Sequence, residues 1–95
     1  NAMRASLALI NLDANCAAAG MQGGAKNVSV LSDVKPYTVQ RRLVNPVKLS
    51  ASVTCAGQPS ATAVEVPQMQ AGERYSVFLL TLKNTRQAVF AHDAN

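Results

Sequence analysis

The residues able to do chemistry in this sequence are few, and their spacing brings almost none of them together. A serine-type hydrolase or acyltransferase needs a nucleophile, a base and a group that orients the base. Serines are plentiful, but His92 is the single imidazole, next to Asp93 and three residues from the C-terminus. Strand neighbours point to opposite faces, so a His-Asp pair in sequence is not a hydrogen-bonded dyad. Chain ends also fray, and His92 reads as a solvated histidine of the tail. Neither a Gly-Asp-Ser nucleophile motif nor an Asp-x-x-His pair occurs. The five acids, Asp13, Asp33, Glu65, Glu73 and Asp93, fall mostly at turn positions, where Asp is favoured for local reasons. The glycines form no dinucleotide-binding or P-loop pattern. No catalytic residue and no cofactor is expected.

Two cysteines, Cys16 and Cys55, stand 39 positions apart with no CxxC knuckle. With one histidine in the chain, a structural zinc site has too few soft ligands, and no metal is expected. Two readings remain for the pair. Both cysteines are buried thiols packed as small hydrophobes, or they form one disulfide, worth about 3–4 kcal/mol over a loop this long in the chain-entropy model. The low charge and β-rich composition favour the bridge and an oxidising compartment.

The remaining polar signal is basic. Nine Lys and Arg stand against five acids, a net charge of +4. Arg41, Arg42 and Lys48 form the densest cluster, and Arg74 and Lys83 flank an apolar strand. They read either as a solvated sheet edge or as a contact for an anionic surface, an acidic protein patch or an acidic polysaccharide. Nucleic acid fits poorly, since the cations are scattered and only four aromatics offer stacking. Without Trp an aromatic sugar platform is weak, and Tyr37, Tyr75, Phe78 and Phe90 are expected in the core.

These side chains must be positioned by a chain of 95 residues, which is room for one domain. Asn1 and Ala2 read as a remnant of tag removal, leaving 3–95 as the domain. Apolar residues make up 48% but charged residues only 15%, well below the average of about 25%. The run from Ala5 to Ile10 imitates a signal peptide, yet Asn11 and Asp13 break it after about six residues, so it reads as a strand. No apolar run approaches the ~20 residues of a membrane span.

Segments of alternating apolarity recur about every ten positions between turn formers, the mark of a sandwich or barrel. Ala5, Leu7 and Leu9 share one face of the first. A short Ala-rich segment leads from Cys16 to a turn at Gly23-Gly24. Lys26 to Leu31 alternates with Val28 and Val30 inward, and Ser32-Asp33 marks a corner. Tyr37 to Val44 sets Tyr37, Val39, Arg41 and Leu43 against Thr38, Gln40 and Arg42. Val47 to Cys55 alternates most cleanly, with Val47, Leu49, Ala51, Val53 and Cys55 on one face. Ala56 to Pro59 makes a hairpin connection, and Ala61 to Val66 a strand. Arg74 to Leu82 is apolar on both faces, with Tyr75, Val77 and Leu79 opposite Phe78, Leu80 and Leu82. Such a strand is covered on both sides or turns its outer face to a partner. Gln87 to Ala91 is the last strand. The expected fold is all-β: two antiparallel sheets of seven to eight strands in an Ig-like β-sandwich.

One stretch is more specific than composition. Arg42-Leu43-Val44-Asn45-Pro46-Val47-Lys48-Leu49-Ser50, then a Gly turn, then Ala71-Gly72-Glu73-Arg74-Tyr75-Ser76-Val77-Phe78, resembles the C-terminal half of the alginate O-acetylation protein AlgF family. The opening strand ending in Asn11 resembles the start of that family's second domain. The resemblance implies the C-terminal domain of a larger exported, periplasmic protein, a non-catalytic accessory of exopolysaccharide O-acetylation. Its implied partners are periplasmic or membrane-bound acetyltransferase components, and an anionic polysaccharide is a further candidate. Contacts are expected at Arg41, Arg42 and Lys48, with the outer face of Phe78 and Leu80 as an apolar alternative. A carbohydrate-binding module and a structural cell-envelope domain are the other readings.

Overall fold

The computed structural model describes residues 3–61 and 63–94; Asn1 and Ala2, read above as a tag remnant, lie outside them. The described residues form strands and turns without a helix. The strands are β1 (Ala5–Asn11), β2 (Ala19–Gly23), β3 (Val28–Val34), β4 (Val39–Val44), β5 (Leu49–Cys55), β6 (Gln58–Pro59), β7 (Val64–Val66), β8 (Arg74–Leu82) and β9 (Thr85–His92). One sheet has the order β4-β1-β8-β9. The other runs β3-β2-β5-β6, with β7 pairing the far end of β5. The count exceeds the expected seven to eight because β6 and β7 are two short pieces along one edge of β5. The expected antiparallel sandwich is present with one difference, a parallel β1–β8 pair at the centre of the four-stranded sheet.

The two sheets meet through one set of alternating side chains each. Leu7 and Leu9 of β1 and Tyr75, Val77 and Leu79 of β8 face Met21 of β2 and Ala51 and Val53 of β5, all buried. Val34, Val66 and Met69 close the ends of this layer. Each fully buried large apolar side chain is worth roughly 1.5–3 kcal/mol, so a core of such modest residues leaves little margin. Cys16 and Cys55 are joined in a disulfide with Cα atoms 5.6 Å apart. The bridge fastens the loop before β2 to the end of β5.

Turn chemistry follows the local sequence. Ala56 and Gly57 both have positive φ between the paired Cys55 and Gln58, the demand of a two-residue type I′ hairpin. Lys83-Asn84 does the same between Leu82 and Thr85. Gly72 alone has positive φ in the Gln70–Glu73 turn, closed by Glu73 N–H donating to the Gln70 carbonyl, the pattern of a type II turn.

Several sequence expectations change on the second sheet. The Ala-rich segment runs into a central strand, β2, which starts at Ala19, and small residues are needed there. A Cβ at Gly20 would lie 2.7 Å from Thr54 Oγ1 and 3.1 Å from the Leu31 carbonyl oxygen. Ser32-Asp33 is no corner but part of β3, which bulges against β2, with Asp33 at φ 56°. A bulge shifts the alternation by one, which is why a strict period through Lys26–Leu31 misplaces Val28. That residue is 63% exposed, whereas Val30 packs partly on the core. Val47, expected inward, precedes β5 and is exposed, and the strand predicted from Ala61 is confined to Val64–Val66.

Candidate interaction surface

Among the described residues, the outer face of the four-stranded sheet has no second layer. Strand pairing sets its rows. Val39, Ile10, Phe78 and Val89 lie side by side across β4, β1, β8 and β9. Leu12 continues the β1–β8 ladder, its N–H donating to the Leu79 carbonyl at 2.8 Å, which brings it beside Leu80. Ile10, Phe78 and Leu80 are half-buried; Leu12, Val39 and Val89 are exposed. The result is a connected apolar surface in the middle of a sheet.

Tyr37 stands at the end of this surface. Lys35-Pro36-Tyr37-Thr38 is a turn closed by Thr38 N–H donating to the Lys35 carbonyl at 3.1 Å. Pro36 supplies the fixed φ of its second position, and Tyr37 takes φ 63° at the third, where glycine is usual. A bulky residue in the left-handed region is a genuine outlier. Held there, the ring is 71% exposed. The expectation that all four aromatics are core holds for Tyr75 and Phe90, which stack at 5.8 Å, and fails for Tyr37 and Phe78. Both belong to the outer surface.

The next row across the same face, Arg41, Ala8, Ser76 and Ala91, carries a polar network. Arg41 donates to Ser6 Oγ at 2.9 Å and pairs with Asp93 Oδ2 at 3.1 Å, while Ser76 Oγ donates to Asp93 Oδ1 at 2.7 Å. This network joins β1, β4, β8 and the segment after β9, and it gives the apolar surface a fixed hydrophilic border.

Arg41, Arg42 and Lys48 do not form one patch. Adjacent residues of β4 point to opposite faces: Arg41 lies outside, and Arg42 lies at the mouth of the sandwich. There its Nη1 donates to the Val30 carbonyl at 3.1 Å and to that of Ser29 at 3.4 Å. Lys48 precedes β5, in the other sheet. Phe78, with Leu80 beside it, is thus the expected contact that falls within a continuous surface. Ile10, Leu12, Val39 and Val89 complete it, and the sequence signal for them was available in the apolar positions out of phase with the core set.

His92 is not in a loose tail. It ends β9, stacks on Tyr75 at 4.6 Å and lies 3.2 Å from Glu73. Asp93, on the opposite side, turns to Arg41 and Ser76, so the two residues form no dyad.

Two buried polar groups hold the strand ends that frame the surface. Asn11 Nδ2 donates to the carbonyls of Cys16 (2.8 Å) and Val34 (3.0 Å), and its Oδ1 accepts from Asp13 N–H at 2.9 Å. Asp13 is buried and accepts from Arg86 Nε at 2.6 Å, Asn15 N–H at 2.9 Å and Thr81 Oγ1 at 3.1 Å. The Arg86 hydrogen bond, helped by the Asn15 amide, holds the Asp13 carboxyl below its ordinary value despite burial. Arg86 also donates to Ser60 Oγ.

No family model matches the sequence, and no curated protein matches it. Among solved structures, the chain is similar to the C-terminal domain of AlgF from P. aeruginosa, with a TM-score of 0.79. The match covers 96% of this chain and 99% of that one at 16% sequence identity. The shared property is the fold, and it is the fold that the short motifs around Asn45-Pro46 and Gly72-Glu73 implied.

Proposed function

We propose that this domain is a non-catalytic interaction module of an exopolysaccharide O-acetylation apparatus, docking an acetyltransferase component in the periplasm. The observation that carries the reading is the apolar outer face of the four-stranded sheet, with Val39, Ile10, Phe78 and Val89 in one row and the Arg41–Asp93–Ser76 network beside it. Apolar surface of this extent on a sheet centre marks a partner site, and aromatic residues such as Tyr37 and Phe78 are enriched in such contacts. The fold shared with the AlgF domain supports the choice of apparatus. The disulfide fits an oxidising compartment.

The test is co-purification with the purified periplasmic acetyltransferase component of an alginate-type apparatus. The wild-type domain is expected to bind it and Phe78→Ser to lose binding. Equal binding and equal polymer acetylation with Phe78→Ser and Val39→Ser would remove this face from the reading.

A second reading, an acidic polysaccharide ligand, is favoured by one feature. A depression of about 200 Å³ between the edges of β3 and β4 is lined by Arg4, Arg42 and Asn45 among others. Arg42 has donors left over beyond its bonds to β3, and a uronate carboxylate suits a guanidinium. Titration with uronate oligosaccharides should then show saturable, salt-weakened binding that Arg42→Gln abolishes.

A further inference from the structure

A sandwich of two open sheets has four lateral edges, and three of these carry a device that discourages a further strand. Along β3, the Arg42 guanidinium occupies the carbonyls of Ser29 and Val30, and register shifts against β2 bend the strand. β4 directs Arg42 inward, a charge with no carboxylate partner among the described residues and of the kind that keeps edges apart. The β6/β7 edge is broken into pieces of two and three residues, with Pro59 inside one and Pro67 directly after the other. β9 differs. It runs for eight residues, pairs with β8 without a register break and contains no proline. Its one permanent charge, Arg86, is engaged by Asp13.

The ladder fixes which backbone groups of β9 face outward. Asp93 N–H donates to the Arg74 carbonyl at 2.9 Å, and hydrogen-bonded pairs alternate along an antiparallel ladder. Thr85, Gln87, Val89 and Ala91 therefore bond to β8, while the N–H and C=O groups of Arg86, Ala88, Phe90 and His92 face away from it. No backbone hydrogen bond from another element of the described residues reaches these four. A row of donors and acceptors at this repeat is matched by another extended chain.

We propose that β9 accepts an extended segment of a partner protein as a fifth strand of this sheet, apolar at alternate positions and acidic at its ends. The identity of that partner rests on the docking reading above; the strand acceptance does not. An added strand would place a side chain beside Val89 and so continue the row Val39, Ile10, Phe78, Val89. Lys83 in the β8–β9 turn and Arg74, on β8 beside the far end of β9, have no ion pair among the described residues, which favours acidic ends on the segment. A second copy of the domain fits this edge less well. Each copy carries +4, and two strand edges alone bury far less than the ~1,200–2,000 Å² of a stable interface.

The decisive measurement is amide hydrogen exchange on the wild-type domain with the synthetic peptide Glu-Val-Thr-Val-Thr-Val-Glu at millimolar concentration. Exchange at Ala88 and Phe90 is expected to slow about tenfold or more, with Gln87 and Val89, already bonded to β8, unchanged. Ala88→Pro removes an outward N–H and no bond to β8, so it should abolish the protection and keep the melting temperature. Unaltered exchange at Ala88 and Phe90 in the wild type overturns strand addition. So does a concentration-dependent dimer that Ala88→Pro dissolves, since the edge then belongs to a second copy. The acetyltransferase component separates the two proposals. If Ala88→Pro binds it like wild type while Phe78→Ser does not, docking stands and strand addition falls. If the peptide protects the amides yet no component binds, strand addition stands and the docking reading falls.

Discussion

The two faces of β8 carry nearly the same chemistry and meet opposite fates. Tyr75, Val77 and Leu79 point inward and are almost fully buried against the second sheet. Phe78, Leu80 and Leu82 point outward, where half-buried gives way to exposed along the strand. Residue size and apolarity do not separate the two sets; what separates them is that β2 and β5 cover one face and nothing among the described residues covers the other. An apolar strand face reports that burial is favourable, and only the topology says whether the burial happens on folding or on association. The outer face also differs in being framed: Tyr37 is held at positive φ at one end and the Arg41–Asp93 network lies across the other.

The largest loss is expected at the inner face. Leu79→Ala should cost about 2–5 kcal/mol, since it leaves a cavity among residues that cannot collapse into it. A loss below about 1 kcal/mol in urea unfolding would mean that the two faces are energetically alike and that the inner layer is loosely packed. Next comes the clamp on the covering sheet. Replacing Cys16 and Cys55 together by Ser should lower stability by about 3–4 kcal/mol, and reduction of the wild type should approach the same value. Equal melting with and without reductant would show that the β2–β5 layer holds its place without the bridge.

Much of this was legible in the residues, and where it was not the reason is physical. Alternation located the core faces of β1, β5 and β8, because a regular strand places every second side chain on one side. It fails on β3, where the register against β2 shifts between Ser29 and Leu31 and leaves Val30 without a partner, so a strict period puts Val28 on the wrong face. Alternation already sets Arg41 and Arg42 on opposite faces; only their closeness in sequence, read as charge density, makes them look like one patch. Gly20 and the Ala-rich segment gave no strand signal because small residues are neutral in pattern; their role appears only once Thr54 and the Leu31 carbonyl are seen to crowd them. Aromatic character alone puts Tyr37 and Phe78 in the core, while the alternation of β8 puts Phe78 on the face opposite Tyr75; character does not count layers.

A smaller effect concerns the ends of the strands that frame the outer face. The Asp13 carboxyl is held below its ordinary value by Arg86 and the Asn15 amide. Its folded-state value therefore lies under its unfolded one. The stabilisation it provides is complete above the unfolded value, near 4, and drains away as pH falls through the folded value below that. Asp13→Asn should cost about 1–3 kcal/mol at neutral pH, with the difference from wild type narrowing as the pH is taken below 4. Parallel stability curves for the two proteins in acid would show that Asp13 does not carry the linkage.

The smallest expected stability effect is the one that bears most on function. Phe78→Ser removes an aromatic ring from the middle of the outer face, beside Ile10 and Val89. The ring is only half-buried, so unfolding should shift by about 1 kcal/mol or less, within the range of strand-propensity effects. Set against Leu79→Ala one residue along the same strand, this difference measures how much of the apolar content of β8 serves folding. A Phe78→Ser cost as large as that of Leu79→Ala would mean that the outer face is already satisfied by its own neighbours, leaving no surplus for a partner to bury. A small stability cost joined to lost acetyltransferase binding would assign the surplus to association.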